Sequence, residues 1–427
     1  MRARYPALIF ATLLASALPA KAQDYEARIA RILDETPLID GHNDWVEALR
    51  EREDEGRWTL DLQRGLEEKP IAYNTDIDRL HKGMMGGQFW SVYVSAELPG
   101  ERQMKETLEQ IDLVRAIVAR YPKDLEIART AADIRRIHRA GRIASLIGIE
   151  GGGQINNSLS VLRAYHQLGA NYLTLTHVKT IDWADSATDD PRHEGLTPFG
   201  ETVVRELNRL GMLVDLSHVS DQTMLDAFRV SKAPVIFSHS SARALNDHPR
   251  NVSDEMLLLV KANRGIVMVN FAKLYVSEAY RHWSSDEVAE KTRLLAPPYG
   301  GLYIGQPLKA AAALKEWQDS HPAPAVTLSQ VADHIERIVQ IAGIDHVGLG
   351  ADFDGVGNAL PNGLSDVSTY PALFGELIRR GWSDRDIAKL AGGNILRVME
   401  AAEKTAILLK GSAPETAALD SGRDDKR

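Results

Sequence analysis

Leu38-Ile39-Asp40-Gly41-His42-Asn43-Asp44-Trp45 reads as a short apolar strand that runs into a glycine and then presents His-x-Asp. Side chains two apart on an extended chain share a face, so His42 and Asp44 can converge at the strand's end. An imidazole nitrogen beside a carboxylate is half of a metal site. The same residues also suit an ordinary strand-end turn. What decides between the two is whether later strands end in the same way.

They do. An aromatic and β-branched run, 88–94, is a second strand, followed by a helix over 107–119 with apolar residues at helical spacing. Thr130 then caps a helix that Gly141 stops, and a buried strand over 144–149 ends in Glu150-Gly151-Gly152-Gly153. A helix over 158–168 ends at Gly169, and the strand 172–176 ends in His177. Pro198 opens a helix that closes at Gly211, and the strand 212–216 ends in Ser217-His218. Ser220 caps the next helix, before a strand over 234–237 that ends in Ser238-His239. Ser253 caps another, Gly265 ends it, and 266–270 is a strand. Residues 272–325 are rich in Trp, Tyr, Pro and Gly, lack a clear period, and read as a long lid or binding segment. The rhythm resumes with a helix over 327–342, a strand over 347–350 that leads into Asp352-Phe353-Asp354-Gly355, and a last helix capped by Ser383.

Eight short apolar strands alternating with helices imply parallel strands joined by right-handed crossovers. The expectation is a single-domain (β/α)8 TIM barrel with a long insertion between the seventh and eighth strands. The rival, an open doubly wound sheet, would want a phosphate-binding glycine pattern after its first strand, and Gly151-Gly152-Gly153 is not that pattern.

The 427 residues, 44% of them hydrophobic, supply a large core, and a barrel with insertions reaches this length as one domain. There is no cysteine, which excludes disulfides, thiolate ligands and a cysteine nucleophile. Residues 1–22 have the three parts of a secretory signal: Arg2 and Arg4, an apolar run over 7–18, and Ala20-Lys21-Ala22 before the cut. Removing this segment takes the formal charge from -9 to -12, which argues against nucleic acid or an anionic membrane as partner. The domain is expected over 23–410, with a polar, disordered tail over 411–427 that cannot anchor the chain in a membrane. The location implied is periplasmic or secreted.

In such a barrel the functional groups sit at the C-terminal ends of the strands. Those ends supply His42, Asp44, Glu150, His177, His218, His239 and Asp352. The other nine histidines fall in helices or loops and read as surface or structural. A catalytic zinc takes about three protein ligands and keeps an open position. The rim offers too many for one ion, and with a bridging carboxylate it suits two. Two ions about 3.5–4 Å apart can hold a hydroxide and polarise a carbonyl. Ligands without sulfur permit zinc, manganese, iron or cobalt; zinc suits a secreted hydrolase without redox chemistry.

Together, Asp40-Gly41-His42-Asn43-Asp44, Glu150-Gly151-Gly152, Leu175-Thr176-His177, Asp215-Leu216-Ser217-His218, the run from Phe237 to Ala242, Arg250-Asn251-Val252 and the run from Gly350 to Gly355 resemble the membrane dipeptidase (renal dipeptidase) family of metallopeptidases. The resemblance covers about residues 30–402. It implies a zinc-dependent dipeptidase with two Zn²⁺ per chain: His42 and Asp44 on the first, Glu150 bridging, His218 and His239 on the second. It further implies that His177 stabilises the oxyanion and that Arg250 pairs with the C-terminal carboxylate of a dipeptide. Asp352 would carry the proton from the bridging water to the leaving amine. Substrates with a C-terminal D-residue, β-lactam opening and a homodimer are implied on the same ground. One departure is Gly153-Gln154, where family members often have His; another is the absence of the cysteines and lipid anchor of the mammalian members.

Two other functions compete. One is a different hydrolase on the same binuclear scaffold, an amidohydrolase or lactonase. The other is a non-catalytic periplasmic peptide-binding protein, which would need neither Glu150 nor a proton relay at Asp352.

Overall fold

The computed structural model describes residues 18–51, 60–64, 73–297, 300–357 and 359–416. Most of the expected signal segment, much of the charged loop after the first strand, and the tail from residue 417 lie outside the described residues.

Nine parallel strands form one sheet: β1 (Leu38–Asn43), β2 (Met85–Tyr93), β3 (Leu125–Ile127), β4 (Ile143–Glu150), β5 (Ala170–Thr174), β6 (Leu213–Asp215), β7 (Ile236–Phe237), β8 (Ile266–Val269) and β9 (Val347–Leu349). The order is β2-β1-β9-β8-β7-β6-β5-β4-β3, and β2 also pairs with β4 from Gly87↔Ala144 to Tyr93↔Glu150. That last pairing closes an eight-stranded (β/α)8 barrel. The ninth strand, β3, is unanticipated; it pairs with the first residues of β4, Ile143 to Ser145, and β5 pairs from Ile147 onward.

Two apolar layers follow from the strand period of two. Ile39, Phe89, Leu146, Tyr172, Leu213, Ile236, Ile266 and Met268 form one buried cluster, which fills the barrel. Their neighbours Leu38, Trp90, Ile147, Leu173, Val214, Phe237, Val267 and Val269 belong to a second cluster, with the apolar stripes of the surrounding helices. Each fully buried side chain of this kind contributes roughly 1.5–3 kcal/mol.

The helix starts fall where the capping residues stand. The side chains of Ser158, Thr197, Ser220, Ser253 and Ser383 each accept from a backbone N–H of the first turn, and Thr130 and Thr327 form capping boxes. Gly265 is a correction. The left-handed residue that ends the helix Asp254–Asn263 is Arg264, at φ 65°. Gly265 is small for another reason: a Cβ there would stand 2.6 Å from Val235 O, where the chain enters β8.

The segment 272–325 is also corrected. It is mostly helical, with Lys273–Val276, Glu278–Leu295 and Pro307–Ser320. The two longer helices pack together through Trp283, whose Nε1 donates to His321 O at 2.7 Å, and through Trp317. Each buries a single residue, Leu294 and Ala310 respectively, so neither carries the apolar stripe that betrays a helix in sequence. Within the expected tail, Glu415 is held against the domain: its N donates to Glu206 Oε2, and its carboxylate lies 3.5 Å from Arg205 Nε. The first helix spans Leu18–Glu35, across the expected cleavage point. Among the described residues no helix is long and apolar enough to cross a membrane.

Candidate metal centre and substrate cavity

Glu150 ends β4 and keeps the inward parity of Leu146 and Gly148. Its Oε1 lies 3.0 Å from His218 Nε2, 3.3 Å from His239 Nε2 and 3.7 Å from His177 Nε2. Its Oε2 lies 3.4 Å from His42 Nε2 and accepts from Ser91 Oγ at 3.2 Å. His42 Nε2 is in turn 3.4 Å from Asp44 Oδ2. Five stretches of chain that end five different barrel strands therefore converge on one carboxylate. Ligand atoms within 4.8 Å of one another form three sets: His42, Glu150 and His239; Glu150, His177 and His218; His42, Asp44 and Asp352.

Buried hydrogen bonds aim the imidazoles. His42 Nδ1 is 3.0 Å from Tyr172 Oη, and that hydroxyl donates to Gly41 O at 3.3 Å. The hydroxyl proton being spoken for, Tyr172 accepts from Nδ1–H, which leaves the Nε2 lone pair facing the carboxylates. Gly148 makes this possible: a Cβ there would stand 1.9 Å from the Tyr172 ring. His239 is held the same way. Ser238 Oγ donates to Asp215 Oδ2 at 2.6 Å and stands 2.8 Å from His239 Nδ1. Asp40 ties the strand ends together, accepting from His42 N at 2.8 Å, Gln88 Nε2 at 2.9 Å and Ala351 N at 2.8 Å. Asn270 Nδ2 donates to Asp352 Oδ2 at 2.8 Å. His218 and Asp352 both take left-handed backbone, at φ 71° and 66°, a conformation costly for residues with a Cβ and concentrated at functional sites.

The electrostatics describe a carboxylate among three imidazoles that favour the neutral form and a fourth, His42, that favours the charged one. Burial opposes ionisation of Glu150, but the histidines around it hold its carboxyl well below the usual range. Burial and then Arg250 hold His218 well below the ordinary histidine value. Burial, with the charge of His42 beside it, lowers His239 to about 4. Burial also lowers His177. His42 goes the other way: burial resists protonation, yet Tyr172, Glu150 and Asp44 raise it well above the ordinary value. Burial raises Asp352. Glu47, a carboxylate not foreseen at the site, is pushed up to about 9 by burial and then by Asp44 and Glu150.

The residues fit a metal. Buried His42 Nε2 and Asp44 Oδ1 have no hydrogen-bond partner among the described residues. Each such orphan costs about 1–3 kcal/mol, which coordination would offset. The donors are nitrogen and oxygen alone, and their spacing suits zinc or another borderline divalent ion. Gly355 guards this geometry, since a Cβ would stand 2.1 Å from Asp44 Oδ2 and 2.5 Å from Asp352 Oδ1.

Above the cluster opens a cavity of about 250 Å³ whose lining includes Glu47, Tyr93, Glu150, His177, Tyr275 and Asp352. From the segment 272–325 only Tyr275 lines it, among the described residues. Arg250 is 2% exposed, not the surface charge that its loop position alone suggests. It donates to Ser240 Oγ at 3.3 Å and His239 O at 3.2 Å, stacks over Tyr275, and keeps Nε without a partner. The cavity wall at that point is Tyr275. All eight residues singled out in the sequence thus lie in or against one site. Tyr93, Tyr172, Tyr275, Ser238, Asn270 and Glu47 were missed. Asn270, at the end of a recognisable strand, carried a signal; the tyrosines look like core residues in sequence.

Residues 26–412 match the family model described as membrane dipeptidase (peptidase family M19). The chain is 39% identical over 384 residues to dipeptidase tcpJ of Claviceps purpurea, covering 88% of this chain and 79% of that one. It is 39% identical over 402 residues to dipeptidase aclJ of Aspergillus oryzae, covering 91% and 84%. Among solved structures it resembles the probable dipeptidase PvdM of Pseudomonas aeruginosa, with a TM-score of 0.75 and 26% identity over 90% of this chain and all of that one. The chain belongs to the membrane dipeptidase family, and it is a metal-dependent hydrolase of dipeptides.

Proposed function

We propose that this member of the membrane dipeptidase family works with two zinc ions, Glu150 bridging them, His42 and Asp44 completing one site and His218 and His239 the other. The observation that carries this reading is Glu150, with one oxygen 3.0–3.3 Å from His218 and His239 and the other 3.4 Å from His42. When bound, two such ions acidify a water to a nucleophile at neutral pH and polarise the scissile carbonyl.

The chain's own groups do the rest. Asp352, held by Asn270, takes the proton of the attacking water and delivers it to the leaving amine. His177 is neutral, as its lowered pKa requires, and donates a hydrogen bond to the developing oxyanion. Arg250 offers its unpartnered Nε edge to the substrate's terminal carboxylate. Because the guanidinium stacks on Tyr275, which forms the cavity wall there, the pairing requires the tyrosine ring to make room. We extend the proposal to dipeptides with a C-terminal D-residue and to β-lactams, which present an amide and a nearby carboxylate at similar spacing. We also propose export through the N-terminal segment and a homodimeric state; both rest on the sequence reading, and fractionation and analytical ultracentrifugation test them.

The deciding experiment follows free amine released from dipeptides by zinc-loaded protein, with elemental analysis. The expected result is turnover with two ions per chain. Two ions and no turnover would leave a peptide-binding protein. Arg250→Ala tests the alternative hydrolase: loss of dipeptide cleavage with ester cleavage retained would favour it.

A further inference from the structure

Glu47 lies on the short helix Trp45–Arg50, three residues beyond Asp44, half-buried with its side chain on the cavity wall beside Tyr93. Among the described residues its carboxylate has neither a hydrogen bond nor an ion pair. Arg50, the arginine whose charge acts on it, pairs with other carboxylates, its Nη2 2.7 Å from Glu106 Oε2 and 3.7 Å from Glu109 Oε2. The charges that act most strongly on Glu47 are negative: Asp44, Glu150 and Glu51. In such a field a group on the cavity wall keeps its proton until a cation stands beside it, so Glu47 is short of a cation. The metal centre does not supply it. Asp44, Glu150, Asp352 and an anionic nucleophile already match the charge of two divalent ions, so Glu47 is surplus.

The ring order of the barrel locates the surplus. β2, which ends in Tyr93, and β7, which precedes Arg250, face each other across the eight-stranded ring, and Glu47 follows β1, next to β2. Glu150 and the histidines lie between. The cavity therefore runs from an unpaired carboxylate, over the carbonyl-activating cluster, to Tyr275, with the buried guanidinium of Arg250 behind that ring. A dipeptide zwitterion has the matching order: ammonium, scissile amide, carboxylate. Resting on the proposed mode of dipeptide binding, we propose that Glu47 receives the substrate's free α-ammonium group, and that this carboxylate selects dipeptides with an unblocked N-terminus.

The test compares a dipeptide with its N-acetyl derivative on the zinc-loaded enzyme and on Glu47→Gln. The wild type favours the free amine, and Glu47→Gln loses about 10- to 100-fold in kcat/KM on it, mainly through KM, as expected for a lost charge-assisted hydrogen bond. The acetylated substrate is little affected, so the preference collapses, and zinc content stays at the wild-type value. An unchanged preference ratio would overturn the proposal, as would loss of zinc from Glu47→Gln, which would make Glu47 a metal ligand. A second arm needs no variant: the two forms of one slowly cleaved dipeptide compete as inhibitors of the wild type, and equal inhibition overturns the proposal. Absence of any dipeptide turnover by the wild type would instead sink the underlying reading, so the two failures are distinguishable.

Discussion

The mouth of this barrel and its interior are built from the same eight strands and obey opposite rules. Below the rim, Ile39, Phe89, Leu146, Leu213 and Ile236 are apolar and buried. Three to five residues further along, at or just past the ends of the same strands, stand Glu150, His218 and His239, buried, ionisable and crowded to within 3.3 Å. The interior lowers the free energy of the fold. The mouth raises it, through orphaned donors and acceptors, a carboxylate far from water, and left-handed backbone at His218 and Asp352. The lesson is a division of labour along each strand: the first residues hold the barrel shut, and that rigidity lets the last ones keep an arrangement that would not persist alone.

Mutations at the two levels should therefore move different observables. The largest effect is expected at Asp352→Asn. Turnover should fall by about 10²- to 10⁴-fold, the usual worth of a positioned acid–base group, with metal content unchanged. Unchanged turnover would remove Asp352 from the proton path. His218→Ala should lose mainly one of two ions; elemental analysis that still finds both would contradict its assignment. One level down, Leu146→Ala should leave the metal count alone and cost about 2–5 kcal/mol in denaturant unfolding. If it stripped metal without loss of stability, interior and mouth would not be separable.

The smallest effect concerns Asp354, whose carboxyl is pushed up to about 7, chiefly by burial. The folded metal-free protein then holds a proton there that the unfolded chain releases near pH 4. The resulting stability is present below that pH and is lost as pH rises towards 7. Asp354→Asn should match the wild type at pH 4 and gain roughly 1–2 kcal/mol by pH 8. A thermal-melt series on apo-protein checks this; a gain largest at acid pH would reverse the sign.

Much of both levels was legible in the sequence, for local reasons. Strand and helix periods, capping residues such as Ser220 and Ser253, and helix-ending glycines such as Gly169 and Gly211 express short-range sterics and hydrogen bonding. They fix the alternation, and the alternation fixes which residues end a strand. That suffices to gather His42, Glu150, His218 and His239 at one rim of the barrel. The insertion failed the same test because Leu294 and Ala310 are the only residues its two long helices bury.

Only the tertiary structure decided the rest. His42 is aimed by Tyr172, 130 residues away, and Gly148 is small because that ring fills the space of its Cβ. Arg250 is buried under Tyr275, and Glu47 is left without a partner because Arg50 turns towards Glu106. The sequence by itself determined which chemical groups reach the mouth, since that depends on neighbours along the chain. Which way each group points, and which charge stays unbalanced, depends on neighbours in space, and those exist only once the barrel has closed.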